Sequence, residues 1–161
     1  MKLIRANGRG YTFHLLQRER LALFKVISLY PLVPKAYQPL SRTNHAEDAE
    51  ENQALLETAL AEQRTENRRH VLALVNKPRR FRKRKPGYEV TFKRLEIEWL
   101  LQVLNDVRIG SWLALGGPEQ GKPPRLSQEN LGYFVALEVC GAFESLLLSA
   151  LGVTASAEWI E

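Results

Sequence analysis

The sequence predicts a mainly α-helical protein, a bundle of about four helices with a small N-terminal β-hairpin, and three observations support this fold class. Four long stretches repeat apolar residues at helical spacing, and stretches rich in proline or glycine separate them. An Asn-Gly pair divides two short apolar stretches near the amino terminus. The chain has 161 residues, of which 45% are hydrophobic and 25% charged, which suits one globular domain with a buried core.

The hairpin is the first element along the chain. Asn7-Gly8 is a strong hairpin signal because a type I′ turn needs a positive φ at both central positions. Tyr11, Phe13 and Leu15 then alternate with polar residues, which is typical of a half-buried strand.

Two helices follow the hairpin. Apolar residues repeat at helical spacing from Gln17 to Tyr30, and Pro31 ends this helix. After a proline-rich connector, Asn44 is placed as the N-cap of a second helix, with a glutamate three residues later in the capping-box position. This helix runs to about Val75, and its middle is polar enough to be exposed on most sides.

The carboxyl-terminal half predicts a strand and two apolar helices. Residues 88–92 alternate as a third strand laid against the hairpin would, and a long helix follows over 93–115. Residues 116–124 form a loop rich in glycine and proline. Ser127 caps the last helix, which runs to about Leu151.

We interpret residues 1–161 as a single domain with a small, polar tail at 152–161. The amino terminus lacks the apolar core of a signal peptide. The most apolar stretch, 131–151, contains Glu138 and Glu144, which are costly at membrane depth, so we interpret it as a buried core helix. We therefore expect a cytoplasmic protein that does not bind membranes.

The charge of the chain is concentrated in one segment. The formal net charge is +5, yet the seven basic residues of the segment between Asn76 and Gly87 exceed this sum, so the rest of the chain is mildly acidic. We predict that 76–87 is a mobile basic loop. The basic residues of this segment are Lys77, Arg79, Arg80, Arg82, Lys83, Arg84 and Lys85.

Three interpretations of the basic segment remain open. In the first, the segment binds nucleic acid, with Phe81 and Tyr88 stacking on bases. In the second, it binds an acidic protein. In the third, it is a solvated loop whose positive charge balances the negative charge of the helix start at 47–51. If all seven cations contacted phosphates of duplex DNA, the logarithm of affinity would fall with the logarithm of salt at a slope of about −6.

Motifs for catalysis, metals and cofactors are absent from the sequence. Residues 116–122 match the start of a P-loop, but Pro123 stands where Ser or Thr should hold Mg²⁺, and the stretch follows a predicted helix. The three histidines lack metal-ligand spacing. The single cysteine, Cys140, lies in an apolar helix and excludes a disulfide framework and a multi-cysteine zinc site. We expect no catalytic residue, no metal and no cofactor.

A few charged residues fall on helix faces that otherwise look buried. Arg108 aligns with Ile97, Leu101 and Leu104, and Asp106 lies on a neighbouring apolar face of the same helix. Because buried charges must pair, we predict a buried polar network of Asp106, Arg108 and Glu138, in which Arg108 is bound to Glu138 or to Asp106. Glu144 is a further candidate on the last helix. The alternatives are a purely structural polar core and a polar cleft.

Residues 95–108, LEIEWLLQVLNDVR, resemble the L-x-x-L-L-x-x-L-N-D-x-R helix of the bacterial domain-of-unknown-function family numbered twenty-seventeen. Residues 133–138 and 144–151 resemble its closing helix, and the opening GYTFHL strand also fits. The resemblance implies a mostly helical regulatory or accessory protein, often encoded beside the proteolytic adaptor ClpS, with no catalytic assignment.

Two function classes lead. The first is a non-enzymatic regulatory or interaction protein with an unidentified protein partner, with a link to proteolysis suggested by the resemblance. The alternative is a nucleic-acid-binding accessory protein that uses the segment 77–85, and an enzyme built on the polar cleft comes third. A homodimer through the small-residue surface of the last helix and a monomer with that helix at its centre fit the sequence equally well.

Overall fold

A computed structural model describes residues 1–34 and 46–157 and shows a mainly helical chain with a small antiparallel sheet, as the sequence predicts. Four helices and four strands lie in the described residues. In chain order they are β1 (Lys2–Asn7), β2 (Gly10–Leu16), α1 (Gln17–Ser28), α2 (Ala46–Asn76), β3 (Arg82–Arg84), β4 (Gly87–Phe92), α3 (Arg94–Ala114) and α4 (Leu131–Ala157).

The sheet has the strand order β1-β2-β4-β3, with every neighbouring pair antiparallel. The predicted hairpin forms β1 and β2, and the predicted third strand is β4, which pairs with β2 from Tyr11↔Phe92 to Leu16↔Gly87. A Cβ on Gly87 would lie 2.0 Å from the carbonyl oxygen of Leu15, so only glycine lets these two strands approach so closely.

The basic segment differs from its prediction as a mobile loop. Residues 82–84 form β3, an edge strand that pairs with β4, as in the pair Arg82↔Glu89. A run of charged residues carries no apolar alternation, so only the adjacent strand β4 explains why this stretch is extended. Charged side chains also suit a sheet edge, because they discourage pairing with another chain.

One face of the sheet packs on the helices. Phe13, Leu15, Val90 and Phe92 alternate along β2 and β4, and each is at most 1% exposed. The rings of Phe13 and Phe92 lie 6.1 Å apart. The opposite face is therefore free of this core, because successive side chains of a strand point to opposite sides.

Helices α3 and α4 lie side by side and form the centre of the helical layer. Ile97, Leu100 and Leu104 of α3 are buried, as are Cys140 and Leu147 of α4. Helix α1 packs on both of them and on the sheet. The two apolar carboxyl-terminal helices predicted from the sequence thus build much of the core.

Helix α4 begins at Leu131, after a turn in which the N–H of Asn130 donates to the Ser127 hydroxyl and the N–H of Ser127 donates to the Asn130 side chain. It continues to Ala157, beyond the predicted end, and the rest of the tail lies outside the described residues. Its stretch Leu131–Gly152 is long and apolar enough to span a membrane, with mean hydropathy 1.8. About 33% of that stretch is buried inside the protein.

In the described residues, helix α2 is buried most deeply in its carboxyl-terminal half. Val71 and Leu74 are buried there, whereas Leu55 is 63% exposed in the amino-terminal half. Asn44, the predicted N-cap, lies outside the described residues.

Candidate anion-binding groove

The face of the sheet turned away from the helices is polar. Thr12 of β2 pairs with Thr91 of β4, and their hydroxyl oxygens lie 2.9 Å apart. Arg5 of β1 lies opposite Thr12, and Arg82 of β3 lies opposite Glu89. Two threonines thus form the centre of this face, and basic side chains flank them on both sides.

A groove of about 370 Å³ opens over this face. The turn that follows α2 forms one wall, and the sheet forms the floor. Five basic residues and a single acidic one contribute to the lining, and none of the lining residues is aromatic. The lining consists of Arg5, Thr12, Lys77, Pro78, Arg79, Arg80, Arg82, Glu89 and Thr91.

The wall of the groove is a tight turn. The N–H of Arg80 donates to the carbonyl of Lys77 at 3.1 Å, and Arg79 has a φ of 63°. A left-handed backbone costs a non-glycine residue about 1 kcal/mol, so this turn holds a strained arginine at the mouth of the groove.

Arg80 anchors the wall to the helical layer. Its guanidinium forms an ion pair with Glu96 and lies over the Phe92 ring, 5.6 Å from the centroid, with the side chain only 15% exposed. Glu96 also accepts a hydrogen bond of 2.7 Å from the N–H of Lys93, in the first turn of α3, where a negative charge is favourable. Glu96 therefore holds the turn and caps the helix at once.

The other charges around the groove are less constrained. Glu89 is paired with Arg84, 3.6 Å away, at the edge of the sheet. Within the described residues, no ion pair involves Arg5, Lys77, Arg79 or Arg82. These four side chains are exposed, and an anion in the groove can neutralise them.

The predicted stacking of Phe81 and Tyr88 on bases does not fit the structure. Both rings lie on the side of the sheet facing α1, where they surround the guanidinium of Arg20 together with Phe24. The Arg20 carbon lies 4.9, 5.5 and 4.5 Å from the ring centroids of Phe24, Phe81 and Tyr88. Phe81 also contacts Phe24 edge-on at 5.1 Å. These aromatic residues fix the basic segment to α1 instead of facing a ligand.

The predicted network of Asp106, Arg108 and Glu138 is divided in the structure. Arg108 pairs with Glu144, with Nε and Oε2 2.9 Å apart, and its side chain is 42% exposed. Glu138 is exposed and Asp106 lies in a different cleft, so the predicted partners of Arg108 are wrong. The helix periodicity located the face of Arg108, but the carboxylate that faces α3 is Glu144, six residues after Glu138 on α4.

Asp106 holds the connector that follows α1. One of its carboxylate oxygens accepts hydrogen bonds from the N–H groups of Leu32 and Val33, at 2.6 and 3.2 Å. The Arg64 guanidinium lies 3.6 Å from the other oxygen and donates to the carbonyl of Val33 at 2.8 Å. Beside them, the Asn67 amide donates to Gln102 at 2.8 Å.

These groups line a cleft of about 220 Å³ between α2 and α3. Nearly all of its central polar atoms are used to join the connector, α2 and α3 to each other. Asp106 thus pairs with Arg64 in the place predicted for Arg108, and these contacts join the connector to α2 and α3.

The thiol of Cys140 is buried in the core. Burial, together with the nearby Glu144 carboxylate, raises the pKa of Cys140 to about 12, so the thiolate is not populated at neutral pH. In the part of the chain that the structure describes, no group of His, Cys, Asp and Glu side chains is placed to hold a metal ion. The P-loop-like stretch 116–122 follows α3 and not a strand.

Sequence reasoning missed Arg5 as a groove residue and Glu96 as the partner of Arg80 in the groove wall. Arg5 lies far from the basic segment in sequence, and a bulge between Leu3 and Arg5 sets its register, so no local signal placed it. Glu96 carried the signal of a capping glutamate in the first turn of a helix, which predicts the cap but not its arginine partner.

Comparison of the chain with protein-family models, with curated proteins and with solved structures found no match. The resemblance of 95–108 to the family numbered twenty-seventeen therefore stays a prediction.

Proposed function

We propose that the protein is a non-enzymatic accessory protein that binds the phosphate backbone of nucleic acid in the groove over its sheet. The observation that carries the proposal is the convergence of Arg5, from β1, with Lys77, Arg79 and Arg82, from the basic segment, over a floor of threonine hydroxyls. Positive side chains from separate parts of the chain meet on one concave surface, which is how proteins bind a polyanion.

The chemistry of the lining favours the backbone over the bases. Arginine and threonine side chains are common donors to phosphate oxygens. Stacking of bases needs exposed aromatic rings, and the groove lining contains none. We therefore expect binding to depend on salt and to vary little with base sequence.

The test compares two variants that lose the same charge. The groove variant replaces four lining residues by serine, and the control variant replaces four exposed basic residues elsewhere, again one lysine and three arginines. The groove substitutions are Arg5→Ser, Lys77→Ser, Arg79→Ser and Arg82→Ser. The control substitutions are Arg18→Ser, Lys25→Ser, Arg94→Ser and Arg125→Ser.

Binding is measured by fluorescence anisotropy with a single-stranded RNA longer than the roughly 16 nucleotides that one small domain covers. If each groove contact contributes about 0.5 kcal/mol or more, the groove variant binds at least tenfold more weakly than the wild type. The control variant stays within about twofold. Equal losses in both variants would mean that net charge, and not the groove, governs binding, and the proposal would be wrong.

A further inference from the structure

The charge of helix α2 is strongly polarised along its axis. Residues 46–63 contain six acidic and no basic residues, whereas 64–85 contain ten basic residues and one acidic residue. The helix rises 1.5 Å per residue, so Glu50 and Asn76, its last residue, lie about 40 Å apart along its axis. The acidic start of α2 therefore cannot balance the basic segment of its own chain, because this distance is several Debye lengths at physiological salt.

The acidic half of α2 also has little to hold it. Between Glu50 and Ala59, only Gln53 and Leu56 are half-buried and the other residues are exposed. A helix of this length is marginal in water without packing. Leu55, 63% exposed, adds apolar surface that a partner would cover.

We propose that a second copy of this chain covers it, in an antiparallel dimer in which the acidic half of each α2 lies against the basic segment of the other copy. A two-fold axis makes the contact self-complementary, since each copy supplies one acidic and one basic end. The antiparallel dimer therefore contains two attractive contacts, each between an acidic half and a basic segment. A parallel arrangement would instead place like charges together.

The outer surface of α2 fits this arrangement. The side chains turned away from α3 recur three or four residues apart and are exposed, among them Ala59, Glu62, Arg69 and Leu72. With the two-fold axis between residues 65 and 66, Glu62 lies beside Arg69 of the second copy and Ala59 beside its Leu72. The same register brings the acidic start of one helix to the basic turn of the other.

The dimer would regulate the groove. Because the acidic half of one copy lies over the cations of the other, dimerisation and nucleic-acid binding compete for the same charges. This competition rests on the proposed function, whereas the dimer itself does not.

The test uses the full chain and two charge-reversal variants. The acidic-half variant is Glu50→Lys and Glu51→Lys, which this register places against the basic segment, and the basic-segment variant is Arg79→Glu and Arg82→Glu. Sedimentation equilibrium at about 0.05 M and 0.5 M salt should show a wild-type dimer that dissociates at the higher salt. Each variant alone should be monomeric, and an equimolar mixture of the two should restore the dimer, since both contacts are again between opposite charges.

Circular dichroism of each variant checks the fold, and restoration in the mixture shows that both variants remain competent to associate. A wild-type chain that stays monomeric at every concentration would overturn the inference. So would a dimer that survives both salt and charge reversal, because another surface, such as the exposed side of α4, would then hold it.

Binding of RNA separates this inference from the proposed function. The acidic-half variant should bind the RNA at least several-fold more tightly than the wild type at protein concentrations where the wild type is dimeric. Where the wild type is monomeric the gain should be smaller, because the added positive charge then acts alone. A salt-sensitive dimer that never binds RNA would refute the proposed function and leave the dimer standing. Tight RNA binding by a strictly monomeric wild type would do the reverse.

Discussion

The salt dependence of binding tests how many groove cations contact phosphate. Arg5, Lys77, Arg79 and Arg82 line the groove without an ion-pair partner in the described part of the chain, whereas Arg80 is held by Glu96. Each neutralised phosphate contributes about −0.9 to the slope of log K against log salt on duplex DNA and about −0.7 on a single strand. Four contacts therefore predict a slope of about −3.5 on a duplex and about −3 on a single strand.

The assay is an anisotropy titration repeated at several salt concentrations, with the wild type and two single variants. Arg82→Ser removes one groove cation and should reduce the single-strand slope by about 0.7. Arg125→Ser removes an exposed cation outside the groove and should leave the slope nearly unchanged. A wild-type slope close to −6 on a duplex would mean that all seven cations of the segment contact phosphate, and a slope shallower than about −1 would mean that phosphate contact does not drive binding. Either result would refute the groove as described.

Three further predictions concern the parts that support the groove and the core. Asp106→Ala leaves the N–H groups of Leu32 and Val33 without their acceptor and should lower the free energy of unfolding by about 3 kcal/mol in a urea titration. Asp106→Asn keeps an acceptor and should lower it by about half as much. Equal losses would contradict the role given to the carboxylate. Phe81→Ala removes the contact with Phe24 and Arg20 and should lower the free energy of unfolding by about 2 kcal/mol. It should also weaken RNA binding several-fold, although Phe81 does not line the groove. Unchanged RNA binding would show that the aromatic cluster does not position the basic turn. Burial raises the pKa of Glu144 above its ordinary 4.5. Between the pKa of the unfolded chain and that of the folded chain, the folded chain binds more protons, so the free energy of unfolding falls as pH rises. Glu144→Gln should flatten this fall in denaturation curves recorded from pH 4 to 8, and an unaltered pH profile would refute the assignment.

Local patterns predicted the elements that bury one face. The alternation around Phe13 and Val90 predicted β2 and β4, and the periodic leucines predicted α3 and α4, because burying one face leaves a repeat in the sequence itself. Strand β3 has no such repeat. Its residues, Arg82–Arg84, are extended because β4 offers them backbone partners, and that cause lies outside the segment.

The partners of the charged side chains could not be predicted from the sequence for a related reason. A helical wheel shows that Asp106 and Arg108 lie on faces with apolar neighbours, but it does not give the rotation and height of the facing helix. Asp106 pairs with Arg64, from a part of α2 that is polar enough to look wholly exposed. That arginine is drawn in because the connector after α1 crosses here, close enough that a Cβ on Gly110 would lie 2.7 Å from Leu32. Such contacts depend on tertiary geometry, which no local period records.

Some residues of the basic segment attach it to the rest of the protein, and others line the groove. The attached residues explain why a run of like charges is ordered. Seven cations repel one another, so a free loop would spread them apart. Here Arg80 is bound by Glu96 on one side, and Phe81 packs beside Arg20 on the other. These two anchors at adjacent positions fix the backbone between α2 and β3, and the cations without a local partner are then held close together. The repulsion that remains among them is relieved when an anion enters the groove, and folding has therefore stored part of the free energy of binding in advance.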